Sequence, residues 1–164
     1  QARALWVGPP GQAPQGPALS PALWLAGEVL SGVADVQQAT YEAFVPQMLN
    51  HESVGGVNFK KGCYPGQEVV ARAQFRGQIK RRASLALADG PLEAGQELFD
   101  PADPEQPCGL VAAAAATPGD AANGWTAIVS VQQVPAGDAG RALRTASGTT
   151  LQLTPAPYPL LEDI

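Results

Sequence analysis

The sequence predicts an α+β fold in which a partly helical first half gives way, near residue 83, to a small C-terminal β sandwich or barrel. Three observations carry this. Ser20-Pro21 ahead of an apolar run that stops at Gly32 has the start and stop signals of a helix. After Arg82, six short apolar segments recur between clusters of Gly, Pro and Asp, which is the spacing of a small sandwich or barrel. A chain of 164 residues with a 45% hydrophobic fraction has room for two small units, 1–82 and 83–164, each with buried surface.

In chain order, residues 2–7 read as a short strand. Residues 8–17, with three glycines and four prolines, suit only an irregular connection. In the helix beginning at Pro21, Ser20 is the cap and the proline takes the first position, where a missing N–H costs nothing. Leu23, Trp24, Gly27 and Leu30 form its expected apolar stripe, with Trp24 as a core residue. Pro46 interrupts the next segment, so two short helical turns are expected around 41–45 and 46–50. His51, the only histidine, has little claim as a catalytic base. Gly55-Gly56 permits a bend into a strand at 57–59.

Tyr64-Pro65-Gly66-Gln67 suits a type II turn, because proline presets φ at its second position and glycine accepts positive φ at its third. Residues 68–75 then alternate, with Val70, Arg72 and Gln74 on one side and Val69, Ala71, Ala73 and Phe75 on the other. This reads as a basic strand with Arg72 facing away from Phe75. The six short strands are expected at 83–88, 97–99, 109–115, 125–134, 141–145 and 150–153. The alanine run 112–116 has helical propensity, but Pro107 and Pro118-Gly119 leave little space for a helix and Leu110-Val111 favours extension.

Composition excludes several function classes. No run approaches the roughly 20 apolar residues of a membrane span, and the first residues do not form a signal peptide. Two cysteines and one histidine imply neither a disulfide framework nor a zinc site, so a reducing cytoplasm is expected. There is no Walker loop, dinucleotide fingerprint or hydrolase nucleophile elbow. A net charge of −5 argues against direct nucleic-acid binding. Yet seven of the ten basic residues lie between 60 and 82 with Glu68 the only acid, so that stretch carries +6 and the remainder −11. Such a stripe on an acidic body suits an anionic ligand at one face.

The most informative segment is Lys61-Gly62-Cys63-Tyr64-Pro65-Gly66-Gln67-Glu68. Cys63 enters the turn behind Lys60 and Lys61, a field that favours a thiolate. The longer stretch Phe59-Lys60-Lys61-Gly62-Cys63-Tyr64-Pro65-Gly66-Gln67-Glu68-Val69-Val70-Ala71-Arg72 resembles the signature of the YgfZ family, folate-binding relatives of the glycine-cleavage T-protein. Phe44-Val45-Pro46-Gln47-Met48-Leu49-Asn50 and Gly55-Gly56-Val57 upstream, with Arg76-Gly77 and Lys80-Arg81-Arg82 downstream, extend the resemblance over about 35–85.

The resemblance implies two similar α+β lobes and a C-terminal barrel around a central cavity. This sequence would supply the end of the second, T-protein-like folate-binding lobe (1–82) and the barrel (83–164). Tetrahydrofolate or a derivative would be the cofactor, and the role would be assembly or repair of iron-sulfur enzymes, including those that modify tRNA. The partners implied are iron-sulfur enzymes or assembly proteins. Cys63 matches the motif cysteine and is the expected functional thiol. Lys61, Tyr64, Gln67, Glu68, Arg72 and Arg76 are the expected cofactor-binding residues. Folate's glutamate tail carries two carboxylates, which arginine forks pair with well. The alternative is a tetrahydrofolate-dependent aminomethyltransferase of the T-protein type, which the octapeptide disfavours. A barrel that only docks a partner would fit residues 83–164 alone.

Overall fold

The computed structural model describes residues 6–77, 79–119, 124–134 and 137–161. Short alternating segments divided by tight turns produce six antiparallel strands: β1 (Arg81–Ala88), β2 (Glu97–Asp100), β3 (Asp103–Ala116), β4 (Trp125–Gln132), β5 (Ala142–Thr145) and β6 (Thr150–Thr154). They close into a barrel in the order β1-β4-β3-β2-β5-β6, which leaves no long free edge. All six expected segments are strands, and β3 starts six residues earlier than its apolar run. The barrel interior is filled by Leu98, Val111, Val129, Val131, Leu143, Leu151 and Leu153, with Cys108 in the same cluster. Among the described residues no helix is long and apolar enough to cross a membrane.

The alanine run has a packing reason. β3 is buried on both faces, and Ala112, Ala113 and Ala115 form a second cluster with Ile128 on the side where helix α1 (Pro21–Leu30) lies. Small side chains let the helix backbone come close to the sheet. A register shift between Val111 and Ala113 adjusts which residues face which way. Ser20 caps α1, its hydroxyl accepting the Leu23 N–H at 3.2 Å, and Gly32 comes just after the helix with φ +70°.

The stripe expected on α1 is not the one that packs. Ala26 and Val29 are buried against the barrel, whereas Leu23, Trp24 and Leu30 are close to half exposed. The alanine-lined sheet selects the helix face with small side chains, and Trp24 falls off that face. Of the two expected helical turns, that at 46–50 forms as a 3₁₀ turn at Pro46–Leu49, whereas 41–45 is not helical and a 3₁₀ turn lies instead at Gln38–Thr40. Pro46 forces Val45 into extended backbone, φ −83° and ψ 152°, which stops a helix there. No strand forms at 57–59, where no neighbouring strand offers a ladder. The strand expected at 2–7 lies mostly outside the described residues, and Trp6 and Val7 are irregular.

The largest correction concerns 68–75. It is helix α2 (Gln67–Phe75), not a strand. Gln, Glu, Ala and Arg supply good helix propensity, Glu68 complements the positive N-terminal end of the helix dipole, and Arg72 complements the other end. Period-two and period-3.6 readings of eight residues overlap, and propensity decides. In a helix Arg72 and Phe75 are three apart and share a face, so Arg72 does not point away from Phe75.

One short segment fastens α2 to the barrel. Gln47, fully buried, donates from Nε2 to the Val70 carbonyl of α2 at 2.7 Å. The Ser130 hydroxyl of β4 donates to the Met48 carbonyl at 2.9 Å. Asn50 donates from Nδ2 to the Ala83 carbonyl at 2.8 Å, and its Oδ1 accepts the Ala83 N–H at 3.2 Å. Glu52 forms a buried ion pair with Arg82.

Candidate functional site

The octapeptide folds as its turn chemistry requires. Gly66 sits at φ +81° and ψ 0°, the third-position values of a type II turn, and the Gln67 N–H donates to the Tyr64 carbonyl at 3.3 Å. A side chain at position 66 would be strained at that φ. The Gln67 Oε1 in turn accepts the Tyr64 N–H at 3.2 Å, so turn and helix start brace each other. Gly66 is thereby the N-cap of α2, which turns the octapeptide directly into a helix.

Upstream, Asn58 Oδ1 accepts the Lys60 N–H at 2.8 Å, and the Lys61 Nζ lies 4.3 Å from the centre of the Tyr64 ring. Phe59 packs edge-on against Phe75 with centroids 5.4 Å apart and planes at 70°. The chain before the turn is thus pinned to the far end of α2, and a hollow remains between them.

That hollow is a cleft of about 190 Å³ lined by Asn58, Phe59, Lys61, Tyr64, Gln67 and Glu68, with Ala71 and Phe75. A second, more open cleft of about 430 Å³ lies along the same helix, lined by Glu68, Ala71, Arg72, Phe75 and Arg76. Glu68, Ala71 and Phe75 belong to both. The six residues expected to bind a cofactor therefore divide into two groups. Lys61, Tyr64 and Gln67 line the first cleft, Arg72 and Arg76 the second, and Glu68 the boundary. Their convergence depends on residues 67–75 being helical, because Glu68, Ala71, Arg72 and Phe75 fall on one side only at spacings of three and four.

Cys63 is exposed and lines neither cleft; it is the residue just before Tyr64 in the turn. Cys108, the other free thiol, is buried in the barrel, where desolvation raises its pKa above the ordinary thiol value. Only Cys63 is placed to meet a reagent or a partner. Among the described residues no three His, Cys, Asp or Glu side chains gather as a metal site.

Charge on this face is also narrower than the sequence stripe. Arg82 is buried on Glu52 and leaves the surface set, whereas Lys60, Lys61, Arg72, Arg76 and Lys80 are exposed. Among the described residues Glu68 forms no ion pair with Lys61 or Arg72, and Lys61 rests instead on the Tyr64 ring. Gln67 has its carbonyl oxygen occupied by Tyr64 and offers only its amide N–H groups. Sequence reasoning missed Phe59, Asn58 and Phe75 as lining residues. The aromatic pair at 59 and 75 was a usable signal, but only once 67–75 is read as helical. A scan of protein-family models finds none that matches this chain.

Proposed function

We propose that this chain is part of a cytoplasmic folate-binding protein of the YgfZ type that supports assembly or repair of iron-sulfur enzymes, including those that modify tRNA. The observation that carries the reading is the coincidence of an exposed thiol, Cys63, with a cation-rimmed double cleft built from the same motif. Drug-sized ligands occupy pockets of roughly 300–1,000 Å³. The first cleft is too small for a whole folate, but the second shares Glu68, Ala71 and Phe75 with it, which supports a ring system in one and an anionic tail along the other.

The donor set suits that ligand. Tyr64, Phe59 and Phe75 offer apolar and aromatic surface, the Gln67 amide and the Glu68 carboxylate offer polar groups for ring edges, and Arg72, Arg76 and Lys61 offer cations for two carboxylates. Tetrahydrofolate, when bound, supplies nitrogens that carry one-carbon units. Cys63 supplies a single thiolate ligand or redox thiol, and one cysteine does not hold an iron-sulfur cluster alone. A cluster would be cargo, completed by thiolates of a partner protein. The aminomethyltransferase alternative makes no use of an exposed cysteine beside the cleft.

Complementation tests this reading. In cells lacking the gene, full-length protein should restore iron-sulfur-dependent tRNA thiolation, and full-length Cys63→Ser protein should not. Full restoration by Cys63→Ser would remove the thiol from the function.

A further inference from the structure

The chain after β6 reads Pro155-Ala156-Pro157-Tyr158-Pro159-Leu160-Leu161. Proline at every second position fixes its own φ and excludes helix from the residue before it, so this segment is stiff and extended before it touches anything. It crosses from the barrel to the N-terminal layer and is held by two ties to that layer and one to Arg82 of β1. The Tyr158 hydroxyl donates to the Gly32 carbonyl at 2.7 Å, the Leu161 N–H donates to the Ser53 hydroxyl at 3.0 Å, and Arg82 Nη2 donates to the Leu161 carbonyl at 3.3 Å.

Gly32 admits the crossing. A Cβ there would sit 2.7 Å from Pro157 Cδ and 2.9 Å from Tyr158 Cε1, at a φ of +70° that side chains rarely adopt. Beneath the segment is a cavity of about 340 Å³ whose wall includes Ser84, Thr154, Ala156, Tyr158 and Leu160. The segment that begins at Gln47 meets 155–161 at Ser53. Ser53 also donates to Glu52 Oε1 at 3.2 Å, and Glu52 holds Arg82, so the last tie and the buried ion pair form one cluster. Six residues before Ser53, Gln47 grips the Val70 carbonyl of α2.

We propose that 155–161 is a latch. Seated, it holds the 47–53 segment against the barrel and, through Gln47, holds α2 and its clefts in the observed arrangement. Unseated, it opens the cavity beneath it and loosens α2 without unfolding the barrel. This coupling is independent of which ligand the clefts take.

Hydrogen exchange on the full-length protein tests it. Gly32→Ala expels the latch sterically, and Tyr158→Phe removes one tie with almost no change in shape, so the second variant decides the matter if the first fails to fold. Losing one part-buried hydrogen bond sets a scale of up to about tenfold in local opening. The expected result is exchange faster by up to about tenfold in three places, 155–161, 50–53 and the α2 amides, with β4 amides such as Val129 unchanged. Faster exchange confined to 155–161, or a uniform increase that includes Val129, would overturn the latch, the first because nothing is coupled and the second because the effect is global stability.

Discussion

Asn50→Ala should be among the most destabilising single substitutions outside the barrel core. β6 pairs with β1 only as far as Leu85, and two residues further along, at Ala83, the Asn50 amide takes the place of a strand by bonding both backbone groups. Asn50 is fully buried and sits in left-handed backbone at φ 57°. Alanine would orphan the Ala83 N–H and C=O, each costing about 1.5 kcal/mol, and would add about 1 kcal/mol because it tolerates that conformation less well than asparagine, together about 4 kcal/mol. At 2–4 °C per kcal/mol for a chain of this size, the Tm should fall by about 8–16 °C. Urea unfolding followed by tryptophan fluorescence gives the free energy, and exchange at the Ala83 amide gives the local effect. Asn50→Gly loses the same two bonds but tolerates the φ, so the difference between the two variants isolates the strain. A loss below about 1 kcal/mol with the Ala83 amide still protected would refute the argument, because water would then be replacing the Asn50 bonds.

Named contacts set three further outcomes. Cys63 should react with a thiol probe at neutral pH at least about tenfold faster than Cys108, since burial both hides Cys108 and raises its pKa; equal rates would contradict this. The Ala102 N–H and then Arg141 hold the Asp100 carboxyl below its ordinary value of 3.8. A depressed folded value means stability that is present at neutral pH and lost as pH falls through that value, so Asp100→Asn should flatten the decline in urea midpoint below about pH 4, and an unchanged slope would count against it. Arg82→Ala, which strands buried Glu52, should cost about 3–5 kcal/mol in thermal melts, and pairing Arg82→Met with Glu52→Leu should recover most of it. A double variant no more stable than Arg82→Ala would show that the pair is not the source of the loss.

The strands of the barrel were legible in the sequence because each is short and bounded by turn residues, which are local signals, whereas local signals left closure open between a sandwich and a barrel. Even the alanine run could be placed by the prolines around it. The type II turn was legible for the same reason, since Pro65 and Gly66 act on their own dihedrals. What local signals do not carry is the identity of a packing partner. Trp24 looks like a core residue until the surface opposite proves to be alanine-lined, and then Ala26 and Val29 are the side chains that fit. Arg82 looks like one more cation in a stripe until Glu52, thirty residues away, neutralises it. α2 was misread because its eight alternating residues satisfy two periods. That error mattered for the candidate site: as a strand it sends Arg72 away from Phe75, and as a helix it brings Glu68, Arg72, Phe75 and Arg76 to a common cleft.

The proposed folate reading requires the paired clefts behind the Cys63 turn to bind tetrahydrofolate through the cations at their rims. Titration of tetrahydrofolate into full-length protein, wild type against Arg72→Ala, tests it most directly. A charge-assisted contact made by an exposed arginine sets the expectation of about tenfold weaker binding for the variant. Superimposable titration curves, or no binding by the wild type, would contradict the account.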